Sequence, residues 1–219
     1  MTHQNEIPFA VITGASSGIG YELARQFAEH GFDLLVTSDN KRIEETAQRL
    51  RELGAQAEAV RANLATREGV EGLYGQIRAM RRPIDVMVIN ASPAAGGAFI
   101  DNDLNAELNL VALNVAAVVH LAKRVVTDMV ACDQGHVLFT ASFDDGPSRL
   151  EAVQGASKAF VLSFADALRD ELKDTHVSIS TLKPGAAASD FFHRAHVGNT
   201  RFAAEQQRRE LSEPGSANA

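Results

Sequence analysis

Six short runs of aliphatic and β-branched residues punctuate the chain: Phe9–Thr13, Asp33–Thr37, Ala57–Arg61, Ile84–Ile89, His136–Thr140 and Val177–Leu182. Runs this short, apolar through most of their length, read as strands covered on both faces. Between them lie segments of helical period: Gly18–His30, Lys41–Leu53, Thr66–Met80, Leu104–Cys132 and Glu151–Asp174. Strand and helix alternating in this way predict an α/β fold, a parallel sheet with right-handed crossovers and helices on both faces. Gly31 and Gly54 fall just past two helix ends, where a left-handed residue closes the last turn. After Pro184 the pattern loosens. A charged helical stretch, Ala203–Leu211, is followed by Glu213–Ala219 (EPGSANA), which reads as a frayed tail, so a single domain is expected over residues 1–212.

Composition narrows the class. With 219 residues, 45% apolar and 22% charged, the chain is ordinary for a soluble globular protein with a real core. Its 21 basic against 28 acidic residues give −7, and the basic residues are scattered among acids, which argues against nucleic acid as a partner. One cysteine, Cys132, excludes an internal disulfide and a cysteine zinc site. Placed at the end of an apolar helix, it is expected to be a buried, inert thiol. His193 and His196 have helical spacing but no third ligand beside them, so no metal is expected. The start of the chain has no basic region and carries Glu6, unlike a secretory signal. The greasy stretch Leu108–Ala122 is interrupted by Asn109, Asn114 and His120 and is too short for a membrane span. A cytoplasmic protein without a membrane partner is the expectation.

The first strand runs straight into Thr13-Gly14-Ala15-Ser16-Ser17-Gly18-Ile19-Gly20 and then a helix. Gly14 permits a sharp exit from the strand, Gly18 lets backbone approach a pyrophosphate, and Gly20 lets helix and sheet pack closely. The helix start then offers unpaired N–H groups and partial positive charge to phosphates. With a strand before it, a helix after it and an acid near the end of the second strand, this turn points to a dinucleotide site.

The same residues resemble the short-chain dehydrogenase/reductase family. The resemblance continues through Asn90-Ala91 after the fourth strand, Asn114 in the long helix, Ser142 after the fifth strand, Gly155-Ala156-Ser157-Lys158, and Pro184-Gly185 after the sixth. It covers roughly residues 8 to 192. It implies a Rossmann-type doubly wound parallel sheet of strand order 3-2-1-4-5-6, here truncated at the C-terminus because no closing strand follows. It also implies a nicotinamide cofactor held by Gly14, Ser16, Ser17, Gly18, Ile19, Gly20, Ser38, Asp39, Asn63, Leu64, Asn90, Ala91, Lys158, Pro184 and Gly185, a small-molecule substrate, and a homodimer or homotetramer built on the two long helices.

Cofactor choice is read at Thr37-Ser38-Asp39-Asn40. An acid here accepts from ribose hydroxyls and repels a 2′-phosphate, favouring NAD. The family's acid usually matches Ser38, however, and Lys41 and Arg42 could reach a phosphate, so NADP stays open. Asp39 could equally cap the helix that starts near Lys41. Asn63 stands where the family usually has an aspartate; its amide oxygen can still accept from adenine. Ile89 and Ser92 depart from the family's Asn-Asn-Ala-Gly, and Ser92 sets a side chain where relatives have glycine.

In this family a tyrosine, with its pKa lowered by a nearby lysine, moves the proton during hydride transfer. A serine orients the substrate oxygen and an asparagine completes the proton path. Ser142, Lys158 and Asn114 match three of these parts. Gln154 occupies the place of the tyrosine, four residues before Lys158 on one helical face. The chain's tyrosines, Tyr21 and Tyr74, belong to the first and third helices. A glutamine amide can donate a hydrogen bond but cannot titrate near neutrality, and general acid–base catalysis contributes about 10²–10⁴ in rate. A surrogate acid is conceivable in the loop Phe143–Val153, which holds Asp144, Asp145, Arg149 and Glu151. The sequence thus leaves three readings: an NAD(P)-dependent oxidoreductase on an alcohol or carbonyl with reduced activity, a catalytically silent dinucleotide-binding or dimerising protein, and a non-redox enzyme using the same pocket for proton transfer.

Overall fold

The computed structural model describes residues 7–92, 98–141 and 152–183. Six strands form one parallel sheet: β1 (Phe9–Thr13), β2 (Asp33–Ser38), β3 (Ala57–Arg61), β4 (Val86–Ile89), β5 (Gly135–Thr140) and β6 (Val177–Leu182). Their spatial order is β3-β2-β1-β4-β5-β6, as the family resemblance implies. The helices are α1 (Gly18–Glu29), α2 (Arg42–Glu52), α3 (Arg67–Ala79), α4 (Leu104–Val111), α5 (Ala117–Cys132) and α6 (Ala152–Glu171).

Strand alternation divides the core into two layers. Phe9 and Val11 of β1 face α3, α5 and α6, packing with Leu73, Ile77, Leu121, Val125 and Val161. Ala10 and Ile12 face α1 and α2, packing with Leu23, Phe27, Ile43 and Leu50. In the sheet Val11 stands beside Leu35 on one side and Met87 on the other, so β1 is the central strand and is buried throughout. Burial of both faces explains its continuous apolar run.

Strand β1 is also where the order reverses, with β2 on one side and β4 on the other. Above this switch point the connections diverge and leave a crevice. Thr13 braces it: its hydroxyl donates to the Val88 carbonyl (3.2 Å) and accepts from the Asn90 N–H (2.8 Å).

Four expectations are corrected. The segment Leu104–Cys132 is not one α-helix, because Ala112–Ala116 forms a π turn between α4 and α5. The whole helical run of 29 residues is long and apolar enough to cross a membrane by length and composition, so it is not too short, as the interrupted stretch suggested. Its face at Val118, Leu121, Ala122 and Val125 nonetheless lies against the sheet. Cys132 is exposed rather than buried. The buried stripe of α5 ends at Met129, and Asp133 turns the chain away in a left-handed conformation (φ 52°), so the final turn covers no core. The fourth strand starts at Val86, not Ile84, since the Asp85 carboxylate first accepts from the Phe9 N–H (2.8 Å).

Candidate dinucleotide and substrate site

Gly14 leaves β1 with φ +67°. A Cβ there would stand 2.8 Å from the Ala91 Cα, and one on Gly20 would stand 2.2 Å from the Gly14 carbonyl oxygen. The loop therefore folds tightly on itself and on the Asn90–Ala91 segment, where Asn90 Nδ2 donates to the carbonyls of Thr13 (3.1 Å) and Gly14 (3.3 Å). Gly20 meets this loop rather than the sheet. Gly18, with φ +56°, faces open space.

The start of α1 differs from those of α3 and α4. Thr66 caps α3 by accepting from the Gly69 N–H, and Asp103 caps α4 by accepting from the Ala106 N–H. Ser17 at the start of α1 makes no such side-chain bond, and the first turn holds no acid. Its leading N–H groups and its positive dipole end are thus left uncompensated by side chains.

In front of this turn lies a cavity of about 510 Å³. Gly14, Ser16, Ser17, Ile19, Ser38, Asp39, Asn63, Leu64, Asn90, Ala91, Gln154 and Lys158 line it together. Gly18 and Gly20 shape the loop behind, and Asn114 lies beneath Gln154 in the π turn. Ser142, Pro184, Gly185 and the acids of residues 143–151 lie outside the described residues. A shallower groove of about 620 Å³ runs between α3 and α5. It is crossed by an ion-paired cluster in which Arg124 and His120 hold the Glu71 carboxyl below its usual range.

At one end of the cavity Ser16 Oγ receives hydrogen bonds from Ser38 Oγ (3.0 Å) and Asn40 Nδ2 (3.1 Å). Asp39 does not cap α2; Asn40 Oδ1 accepts from the Arg42 N–H at 3.0 Å instead. Arg61 was not singled out in the sequence, yet its Nε donates to the Asp39 carbonyl (3.0 Å). The signal was the strand register, which sets Arg61 beside Ser38. Asn63 Oδ1 accepts from the Ala65 N–H (3.0 Å), forming the turn into α3.

At the other end Lys158 Nζ donates to the Thr140 carbonyl (3.3 Å). The lysine is only 9% exposed, and burial pushes its pKa down from 10.5 to about 8. Asn114, 1% exposed, donates from Nδ2 to Gln154 Oε1 (3.0 Å) and Ser157 Oγ (2.9 Å). Gln154 Nε2 donates to Ser92 Oγ at 3.4 Å. Ser92 and Gln154 therefore meet across the cavity, a pairing no local spacing could show. Tyr74 donates instead to Asp128 (2.9 Å) and Tyr21 lies under Arg49; neither lines the cavity.

Comparison with known proteins agrees with this architecture. The chain is 29% identical over 198 residues to the NADP-dependent 3-hydroxy acid dehydrogenase YdfG of Salmonella typhi, covering 88% of this chain and 73% of that protein. The crystal structure of the bulky-bulky ketone specific alcohol dehydrogenase from Comamonas testosteroni superposes with a TM-score of 0.80 at 28% identity, covering 98% of both chains. A short-chain dehydrogenase from Sphingobium yanoikuyae in complex with NADPH superposes with a TM-score of 0.78 at 27% identity, covering 97% of this chain and 98% of that one. The short chain dehydrogenase family model matches residues 8–198, and the chain accordingly belongs to the short-chain dehydrogenase/reductase family, an NAD(P)-dependent oxidoreductase by fold.

Proposed function

We propose that this protein binds NAD or NADP along the cavity and interconverts a small alcohol and carbonyl slowly, Gln154 replacing the titrating tyrosine of its relatives. The observation that carries the reading is the uncapped start of α1 opening onto a cavity beside the turn that Gly14 and Gly20 let fold tightly on itself and on Asn90. A diphosphate fits there because the N–H groups that lead α1 have no side-chain partner and its first turn holds no acid. Ser38 and Asp39 would meet the adenosine ribose, Asn63 and Leu64 the adenine, Asn90 and Ala91 the backbone beside it, and Pro184 and Gly185 the carboxamide end. Asp39 supports NAD; Arg61, with Lys41 and Arg42 nearby in sequence, supports NADP. Competition between NADH and NADPH decides between them.

When bound, the nicotinamide supplies or accepts the hydride. Lys158, held by Thr140, would bind ribose hydroxyls and carry positive charge to the reacting end. Ser142 is assigned to orient the substrate oxygen. Gln154 can hold that oxygen but cannot supply its proton, and loss of general acid catalysis lowers the rate by about 10²–10⁴. The test is turnover of simple ketones with reduced coenzyme by the wild type and by Gln154→Tyr. Slow turnover that the tyrosine raises by about a hundredfold or more supports the reading. Fast wild-type turnover points to another acid.

A second reading is a dinucleotide-holding, dimerising protein without chemistry. It is favoured by the Asn114–Gln154–Ser92 bridge, which ties the pocket end into structure, and by Leu104, Leu108, Val111, Val119 and Phe160, which are exposed on α4, α5 and α6. An apolar surface of this kind supports a homodimer or homotetramer. Light scattering that returns a clean monomer contradicts that assembly.

A further inference from the structure

We infer that Gln154 is a one-way hydrogen-bond donor that selects carbonyl ligands over the matching alcohols, its amide held in that sense by Asn114. The inference rests on the preceding assignment of this end of the cavity to substrate.

The orientation follows from counting donors. Ser157 Oγ lies 2.8 Å from the backbone carbonyl of Gln154. A carbonyl cannot donate, so the hydroxyl spends its one hydrogen there and must accept from Asn114, 2.9 Å away. The Asn114 group facing it is therefore NH2. Its second hydrogen points to Gln154, which meets it with Oε1 at 3.0 Å. Turning Asn114 round would place two amide hydrogens where Oδ1 now sits, a buried position with no hydrogen-bond partner among the described residues. Two buried N–H groups without partners cost more than one carbonyl oxygen without one.

With Oε1 committed, Gln154 shows the cavity only Nε2. One of its hydrogens reaches toward Ser92 Oγ and the other remains for a ligand. Lys158 beside it is also a donor. A carbonyl brings an acceptor and nothing else. An alcohol brings a hydrogen that Gln154 cannot accept, so its binding forfeits about one neutral hydrogen bond, roughly fivefold in affinity.

Asn114 is the positioning residue, and its variants give reversal rather than mere loss. In Asn114→Asp both side-chain oxygens accept only, so Gln154 turns its NH2 inward and presents Oε1 to the cavity. Gln154→Glu reaches the same end differently, one oxygen accepting from Asn114 and the other facing outward. Gln154→Met removes both functions.

The experiment is a titration of the full chain with cyclohexanone and cyclohexanol, followed by protein NMR and repeated with each variant. The wild type binds the ketone about fivefold more tightly. Asn114→Asp and Gln154→Glu shift the ratio toward the alcohol, and Gln154→Met brings it close to one. Should Asn114→Asp fail to fold, Gln154→Glu carries the reversal alone. Equal affinities in the wild type, an alcohol preference, no binding of either probe, or no shift of the ratio in any folded variant overturns the inference. NADH fluorescence titration of the same preparation separates the two readings. Coenzyme binding without ketone preference overturns this inference alone, and ketone preference without coenzyme binding overturns the dinucleotide reading alone.

Discussion

Replacing Lys158 by methionine should make the free protein more stable at neutral pH. Methionine keeps the aliphatic stem and removes an ammonium that burial disfavours. A fall in pKa from 10.5 to about 8 corresponds to roughly 3 kcal/mol at about 1.4 kcal/mol per tenfold. Losing the hydrogen bond to the Thr140 carbonyl returns about 1 kcal/mol, leaving a net gain of about 2 kcal/mol at pH 7. The sign with pH is fixed by linkage. Between about 8 and 10.5 the unfolded chain binds more protons at this position than the folded one, so the wild type gains stability as pH rises through that window. The penalty is present in full below pH 8 and gone above 10.5. The variant's advantage should therefore shrink across the same range and become a deficit of about 1 kcal/mol, the lost hydrogen bond. Urea unfolding of both proteins at pH 7, 9 and 11 measures it. A methionine variant less stable at pH 7, or a difference that does not change with pH, refutes the reasoning. A stabilised fold with weakened coenzyme binding would mark Lys158 as a residue kept for function at the expense of stability.

Three further outcomes follow from burial and close approach. His136, inside β5 and 2.6 Å from Ser178 Oγ, has its pKa pushed down by burial to about 4. Its neutral form thus contributes stability above pH 6.5 that is lost as pH falls toward 4, about 3 kcal/mol in all, and His136→Asn should lack that component in acid unfolding curves. Gly20→Ala forces a Cβ to 2.2 Å from the Gly14 carbonyl oxygen and should cost about 3 kcal/mol or more. Gly72→Ala on α3, where nothing lies within 4 Å, should instead gain about 1 kcal/mol; thermal melts showing both variants alike would contradict these contacts.

The sheet was legible because β1, β2, β4 and β5 are buried on both faces, which leaves an unbroken aliphatic signature with glycines at the turns. Strand bounds fell within two residues wherever that signature was strong. What escaped the sequence were features set by one extra residue or by distant partners. The π turn at Ala112–Ala116 leaves the apolar period of its helix almost intact, and only Asn114 in a greasy face hinted at it. Exposure of Cys132 depends on where the sheet ends, not on the helix's own pattern. Gly69 gave no signal either, although a Cβ there would fall 1.8 Å from the Asn63 carbonyl oxygen. In the site, the glycine turn was readable from local order alone. The Asp39–Arg61 and Ser92–Gln154 contacts join residues 22 and 62 apart and required the register of β2 with β3 and the packing of α6 on β5 and β6.

Calorimetric titration of the purified chain with NADH and with NADPH tests the central claim most directly, with Gly14→Val as the control that fills the turn. The account predicts saturable binding of at least one coenzyme by the wild type and none by the variant. Absence of binding to either coenzyme, or binding that survives with valine in the turn, would contradict it.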